Sequence, residues 1–332
     1  MDVFMWIRSR HWRGSGWVTQ PSVVAIFTVF SVLTGLILSA CAPSTSTNRV
    51  AASTPSATPV YTCSSSTLVT APPLAAANKP PTTLALPGAP FASLVSPDGQ
   101  WLFVSLDATR LPPGTGANDT SALAVLRLTG SQQAQLVHLY RTPPNPLGLT
   151  LSPDGHLLAV ADYGGVLFFD VAQTEAGNPH AQIGALATTP TASTIEALFS
   201  PDGRYVFAAN ENTSNVSVFD LLAPGTGTPS FSATAAVGDI ALGPDPVGMA
   251  LSPDGAHLYV TSEFSPEGAR TYGTHLGTPS GGALAVIDVA RAERTPATSV
   301  VGEEPTGCQP VRVALSPDGT VEWVTARGSN TL

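Results

Sequence analysis

Pro246-Val-Gly-Met-Ala-Leu-Ser-Pro-Asp-Gly255, followed by Ala256-His-Leu-Tyr-Val-Thr261, is two short apolar runs joined by a turn. The turn carries its own chemistry. Proline holds φ for the second position of a type I turn, aspartate can bond to the local backbone, and glycine accepts φ > 0 where the chain rejoins the strand. The stretch therefore predicts a β-hairpin. Ser-Pro-Asp-Gly recurs from Ser96, Ser152, Ser200, Ser252 and Ser316, and six residues ahead of these serines stand Pro90, Pro146, Thr194, Pro246 and Pro310. A second run follows each turn, over 101–106, 157–161, 205–209, 258–261 and 321–326. A third run ends at Asp170, Asp220 or Asp288, and residues 135–140 and 231–237 supply fourth strands. A four-stranded sheet of this kind cannot bury both of its faces alone, whereas copies stacked radially can. The expected fold is all-β, a β-propeller of four-stranded antiparallel blades over residues 82–332, with about four complete units and one partial unit. The fifth unit starts at Pro310 and stops at Leu332, where its third strand should begin. We expect a truncated seven-bladed propeller; the competing arrangement closes a smaller ring with outer strands from 82–87 and 65–71.

Composition agrees with this reading and narrows the partners. The 332 residues include 30 Gly and 31 Pro but only 11% charged residues, which excludes coiled coils, long-helix bundles and charge-rich disordered chains. The formal net charge is −9, and Lys79 is the sole lysine. A nucleic-acid partner needs a basic surface to displace counterions from phosphate, and none is present.

Residues 1–40 read as a lipoprotein signal peptide. Arg8, Arg10 and Arg13 precede an uncharged run over 23–38, which is shorter than the ~20 residues of an ordinary spanning helix. The run ends in Leu38-Ser39-Ala40-Cys41, which resembles the lipobox of bacterial lipoproteins; this implies lipidation of Cys41, membrane lipid as a partner and an extracytoplasmic location. Residues 41–81, rich in Ala, Ser, Thr and Pro, then read as a tether. Cys63 and Cys308 remain; Cys63 lies in the tether and the sequence does not place it near Cys308, so we expect two unpaired thiols rather than a bridge. No CxxC or Cys/His spacing points to a metal site, and no motif points to a cofactor.

The repeat Pro-x-Gly-x-x-Leu-Ser-Pro-Asp-Gly, with Leu258-Tyr-Val-Thr261 and Asn215-Val-Ser-Val-Phe-Asp220, resembles the YVTN-type propellers of bacterial surface proteins and the related seven-bladed lactonase-like propellers. Ala161-Asp-Tyr-Gly-Gly165 is similar to the Ala-Asn-Tyr-Gly-Gly segment of the lactonase-like family, with Asp162 in place of Asn. Tyr259-Val-Thr-Ser-Glu-Phe264 is similar to its Tyr-Val-x-Asn-Glu-Leu segment, which implies that Glu263 stands on the catalytic glutamate. One departure matters. The His that the resemblance leads us to expect before the third Ser-Pro-Asp-Gly is absent, and Glu196 is the nearest polar substitute.

Two enlarged loops, 107–120 and 263–282, fall on the face where binding residues of such a scaffold concentrate. The candidate site residues are Glu263 with Arg270 for catalysis, and Asp162, Tyr163, Tyr272 and His275 for binding. A general base for lactone hydrolysis needs a carboxylate or imidazole, and an arginine can stabilise the developing oxyanion. Residue patterns alone favour a membrane-tethered binding or scaffold module without catalysis, taking an undetermined small molecule or protein on the loop face. The resemblance supports the alternative, a lactone hydrolase of the 6-phosphogluconolactonase-like kind.

Overall fold

In the computed structural model, which describes residues 83–107, 121–129, 133–222, 229–265 and 281–332, each Ser-Pro-Asp-Gly turn closes through its serine as well as its proline and glycine. The serine Oγ donates to the aspartate Oδ1 at 2.5–2.6 Å in all five repeats. It also accepts the backbone N–H five residues on, at 2.9–3.0 Å. The turn glycines have φ of +68° to +73°, which a side chain would resist.

The hairpins nucleate four sheets of four strands each, every strand antiparallel to the next in sequence. The first blade is β1 (Ala89–Val95), β2 (Trp101–Asp107), β3 (Ala122–Leu128) and β4 (Ala134–Arg141). The second is β5 (Leu149–Leu151), β6 (Leu157–Asp162), β7 (Gly165–Asp170) and β8 (Gln182–Ala187). β9 (Thr194–Phe199), β10 (Tyr205–Asn210), β11 (Asn215–Asp220) and β12 (Ala236–Ala241) form the third. β13 (Pro246–Leu251), β14 (His257–Ser262), β15 (Ala283–Asp288) and β16 (Val300–Pro305) form the fourth. β17 (Pro310–Leu315) and β18 (Glu322–Ala326) make a two-stranded fifth sheet.

Strand β7 shows why the sheets stack. Val166 and Phe168 join a cluster with Ala197, Phe199 and Val206 of the third blade, while Leu167 and Phe169 on its other face join Phe103, Leu123 and Val125 of the first. Neither face could be left in water without exposing a row of large apolar side chains. The first strand of each blade packs beside the first strand of the next. Gly148 and Gly248 make this approach possible. A Cβ at Gly148 would lie 2.8 Å from the Ile195 carbonyl oxygen, and one at Gly248 would lie 2.3 Å from that of Val311.

Three details differ from the sequence expectation. The fourth strand of the third blade is Ala236–Ala241, so most of 231–237 precedes it, because Phe231 leaves the sheet to stack on Phe168. Residues 83–86 form no strand, although Leu86 packs against the first blade, and 65–71 lie outside the described residues. Short helices, α1 (Val171–Glu175) and α2 (Val289–Ala292), follow β7 and β15. Asp170 and Asp288 cap them by accepting the N–H of Gln173 and Arg291, each at 2.8 Å. Against the expectation of unpaired thiols, Cys308 is buried and disulfide-bonded; Cys41 and Cys63 lie outside the described residues.

The turn carboxylates give stability a defined pH dependence. Hydrogen bonds from the turn serines hold Asp98, Asp154, Asp254 and Asp318 below the usual carboxylate value, Asp318 at about 2. Their contribution is complete above the unfolded value of about 3.9 and is lost as pH falls through the folded values. Burial acts oppositely on Asp162 and Glu196, which take up a proton more readily in the folded state. Stability should therefore rise slightly on mild acidification and then fall between about pH 4 and 2. A urea midpoint that stays flat across that lower window would contradict the assignment.

Candidate functional site

Eleven residues after each turn serine stand Asp107, Tyr163, Glu211, Glu263 and Arg327, one repeat position that is the last residue of the second strand in the first blade and the residue just past it in the others. This is the end of the propeller opposite the Ser-Pro-Asp-Gly hairpins, where the connectors from fourth to first strands arrive. In three blades the same backbone bond fixes the position. The N–H groups of Glu211, Glu263 and Arg327 donate to the carbonyls of Ser193, Asp245 and Gln309 at 3.0, 3.0 and 3.1 Å. Those acceptors have φ of +52°, +58° and +52°, a left-handed backbone that non-glycine residues adopt at a cost.

Glu263 is 4% exposed. Arg327 reaches it from the neighbouring blade, its Nη2 donating to Glu263 Oε1 at 2.6 Å, while the arginine side chain stays 47% exposed. The pair thus joins a desolvated carboxylate to a guanidinium that still faces water. Sequence reading placed Glu263 here but did not find Arg327. The signal was present, since both residues sit eleven positions after their turn serine. Arg270, Tyr272 and His275 lie outside the described residues.

A second polar cluster lies one step inward, on the first strands. Glu196 Oε2 on β9 accepts the Met249 N–H of β13 at 2.9 Å. Arg312 on β17 brings Nη1 to 3.9 Å from the same oxygen and donates to the Val247 and Val311 carbonyls at 2.8 and 3.1 Å. Burial pushes the Glu196 carboxyl up, opposed by the Arg312 charge and the Met249 N–H. A Cβ at Gly248 would lie 3.1 Å from the Arg312 Cα, so the glycine lets β17 approach at this level. Register irregularities between Pro246 and Gly248, and between Pro310 and Arg312, re-aim the inner strands at this level.

Asp162 is buried, and its Oδ1 accepts the Gly164 N–H at 2.9 Å. Burial raises its pKa, against the opposing hydrogen bonds of Gly164 and Gly165. Its carboxylate shapes the turn that presents Tyr163, which is 40% exposed. Thr194, Asn210, Ser217 and Asp239 form a hydrogen-bonded chain across the third blade, with steps of 2.7, 2.8 and 2.7 Å. A cavity of about 430 Å³ lies elsewhere, between the outer part of the fourth blade and β18; neither Glu263 nor Arg327 lines it.

A family model described as "Lactonase, 7-bladed beta-propeller" matches residues 144–332. Among solved structures, the chain is similar to the periplasmic gluconolactonase of Pseudomonas aeruginosa, at 21% identity and a TM-score of 0.51 over 71% of this chain and 63% of that one. It is also similar to a functionally unknown protein from Desulfotomaculum acetoxidans, at 13% identity and a TM-score of 0.51 over 73% of this chain and 64% of that one. At these identities the likeness is one of fold, and the chain spans less than two thirds of either structure. No curated protein matches it.

Proposed function

Because this chain belongs to the lactonase family of seven-bladed β-propellers, we propose that the end of the propeller carrying Glu263 and Arg327 binds lactone rings and opens them with water. The observation that carries the reading is the 2.6 Å pair between a buried carboxylate and a half-exposed guanidinium on adjacent blades. Glu263 acts as general base: it takes a proton from water as the water oxygen bonds to the acyl carbon. Arg327 faces the carbonyl oxygen and stabilises the negative charge that develops there. The ring C–O bond then breaks, and the proton passes from Glu263 to the departing alkoxide. The test is acid release from sugar lactones by the purified chain, read by pH-stat against the spontaneous rate. No acceleration would refute the hydrolase reading.

A second reading, a binding or scaffold module without turnover, has its own support. The His that the family resemblance leads us to expect before the third Ser-Pro-Asp-Gly is absent, and Glu196, the nearest polar residue, is already engaged by Met249 and Arg312. On this reading lactones bind and are not opened, so the same assay separates the two.

We further propose that the propeller is extracytoplasmic and lipid-anchored through Cys41, with the lipobox-like Leu38-Ser39-Ala40-Cys41 as support. Metabolic labelling with an alkyne fatty acid in a bacterial host should tag the protein, and Cys41→Ser should abolish the tag. Equal labelling of that variant would contradict the anchor.

A further inference from the structure

We propose that Cys308 is bridged to Cys63, and that this bond staples the amino-terminal tether to the connector that holds Arg327 in place. The chain has three cysteines, Cys41, Cys63 and Cys308. Cys308 is buried and disulfide-bonded, so its partner within the chain is Cys41 or Cys63. The choice between them rests on the lipid anchor proposed above, because a Cys41 sulfur carrying the lipid as a thioether has no thiol left to enter a disulfide. Cys63 remains. It lies twenty positions before Thr83, the first described residue, and that much chain can span up to about 70 Å. A disulfide persists in an oxidising compartment, which agrees with an extracytoplasmic location.

Cys308 sits in the connector from β16 to β17, one residue before the carbonyl that fixes Arg327. Its N–H donates to the Ser329 Oγ at 3.1 Å, and its carbonyl accepts the Gly328 N–H at 2.8 Å. The Gln309 carbonyl accepts the Arg327 N–H at 3.1 Å. On its other side the connector is held by Gly282, whose N–H donates to the Gly307 carbonyl at 3.1 Å and whose carbonyl accepts the Thr306 N–H at 2.9 Å. The connector and the segment after β18 also pack closely. A Cβ at Gly328 would lie 2.9 Å from the Cys308 carbonyl oxygen, and one at Gly307 would lie 2.5 Å from the Ser329 Oγ. A covalent bond at Cys308 therefore restrains the backbone from which Arg327 reaches Glu263. The bridge joins positions 245 apart in sequence, so it also removes much of the unfolded chain's freedom.

The experiment is peptide mapping of the exported full chain without reduction, with free thiols blocked before digestion. We expect a linked Cys63–Cys308 peptide that separates on reduction. A linked Cys41–Cys308 peptide would overturn both this inference and the lipid anchor, whereas an unlinked Cys308 beside a lipidated Cys41 would overturn the inference alone. Cys63→Ser and Cys308→Ser should each lower Tm by about 5–15 °C, and the double variant should lose no more, because the two remove one bond. Hydrogen exchange reads the effect on Arg327. Cys63→Ser leaves the propeller residues unaltered, yet it should speed amide exchange over 306–309 and 327–331 about tenfold, with β10 and β11 as reference. Losses that add in the double variant, or unchanged exchange at those residues, would contradict the staple.

Discussion

Replacing Glu263 by Gln should lower kcat for lactone opening by about 10²–10⁴-fold, the range for removing a positioned general base. The substitution keeps the size and one acceptor oxygen, so the Arg327 Nη2 donor at 2.6 Å keeps a partner. Arg327 is half exposed, and water can solvate the charge left behind. The fold should survive, and KM should change less than kcat. Arg327→Ala behaves differently, because it strands a carboxylate that is only 4% exposed without its guanidinium. That variant should lose stability along with activity, and Arg327→Lys should restore stability better than rate, since a single ammonium lacks the planar fork. A Glu263→Gln variant that turns over lactone at the unmodified rate would remove Glu263 from the mechanism.

Phe168→Ala should destabilise the propeller by about 3–5 kcal/mol, measured as a lower urea midpoint at constant slope. Phe168 is fully buried between the second and third blades. Its ring stacks on Phe231 at 4.5 Å between centroids and meets Phe199 edge-on at 6.2 Å. A cavity there cannot close readily, because Phe231 already presses against Gly184, where a Cβ would lie 2.2 Å from the ring. The loss falls on an interface between blades, so it should weaken the second and third blades together, as expected when repeat stability depends on contacts between neighbours. Leu139→Ala, at a position 48% exposed, is the control and should shift stability by less than about 0.5 kcal/mol. A comparable loss at Leu139 would argue against the stacked-blade account of the core.

Much of the fold was legible because its determinants are local. The turn proline, aspartate and glycine act within four residues, and the five hairpins form where their chemistry requires. The aspartates that end the third strands also act locally: Asp170 and Asp288 cap helices while Asp220 accepts the Leu222 N–H at 3.0 Å. The turn serine was not read, because its hydroxyl acts on the strand N–H five residues away and appears only once the hairpin is closed. β12 was placed too early because Phe231 looks like a strand residue, and its aromatic partner Phe168 stands on another blade.

The candidate site divides in the same way. Sequence alone determined the repeat, its strands, and the position of Glu263 at the end of a second strand, since alternation and turn chemistry are short-range properties of the chain. Only the tertiary structure decided that Arg327, 64 residues away, would meet Glu263, and that Glu196 would bind a backbone N–H 53 residues on and approach Arg312. Such pairings depend on how far one blade turns from the next and how closely the inner strands approach across Gly148 and Gly248. That spacing is set by the packed apolar faces of whole sheets, and no single stretch of residues carries it.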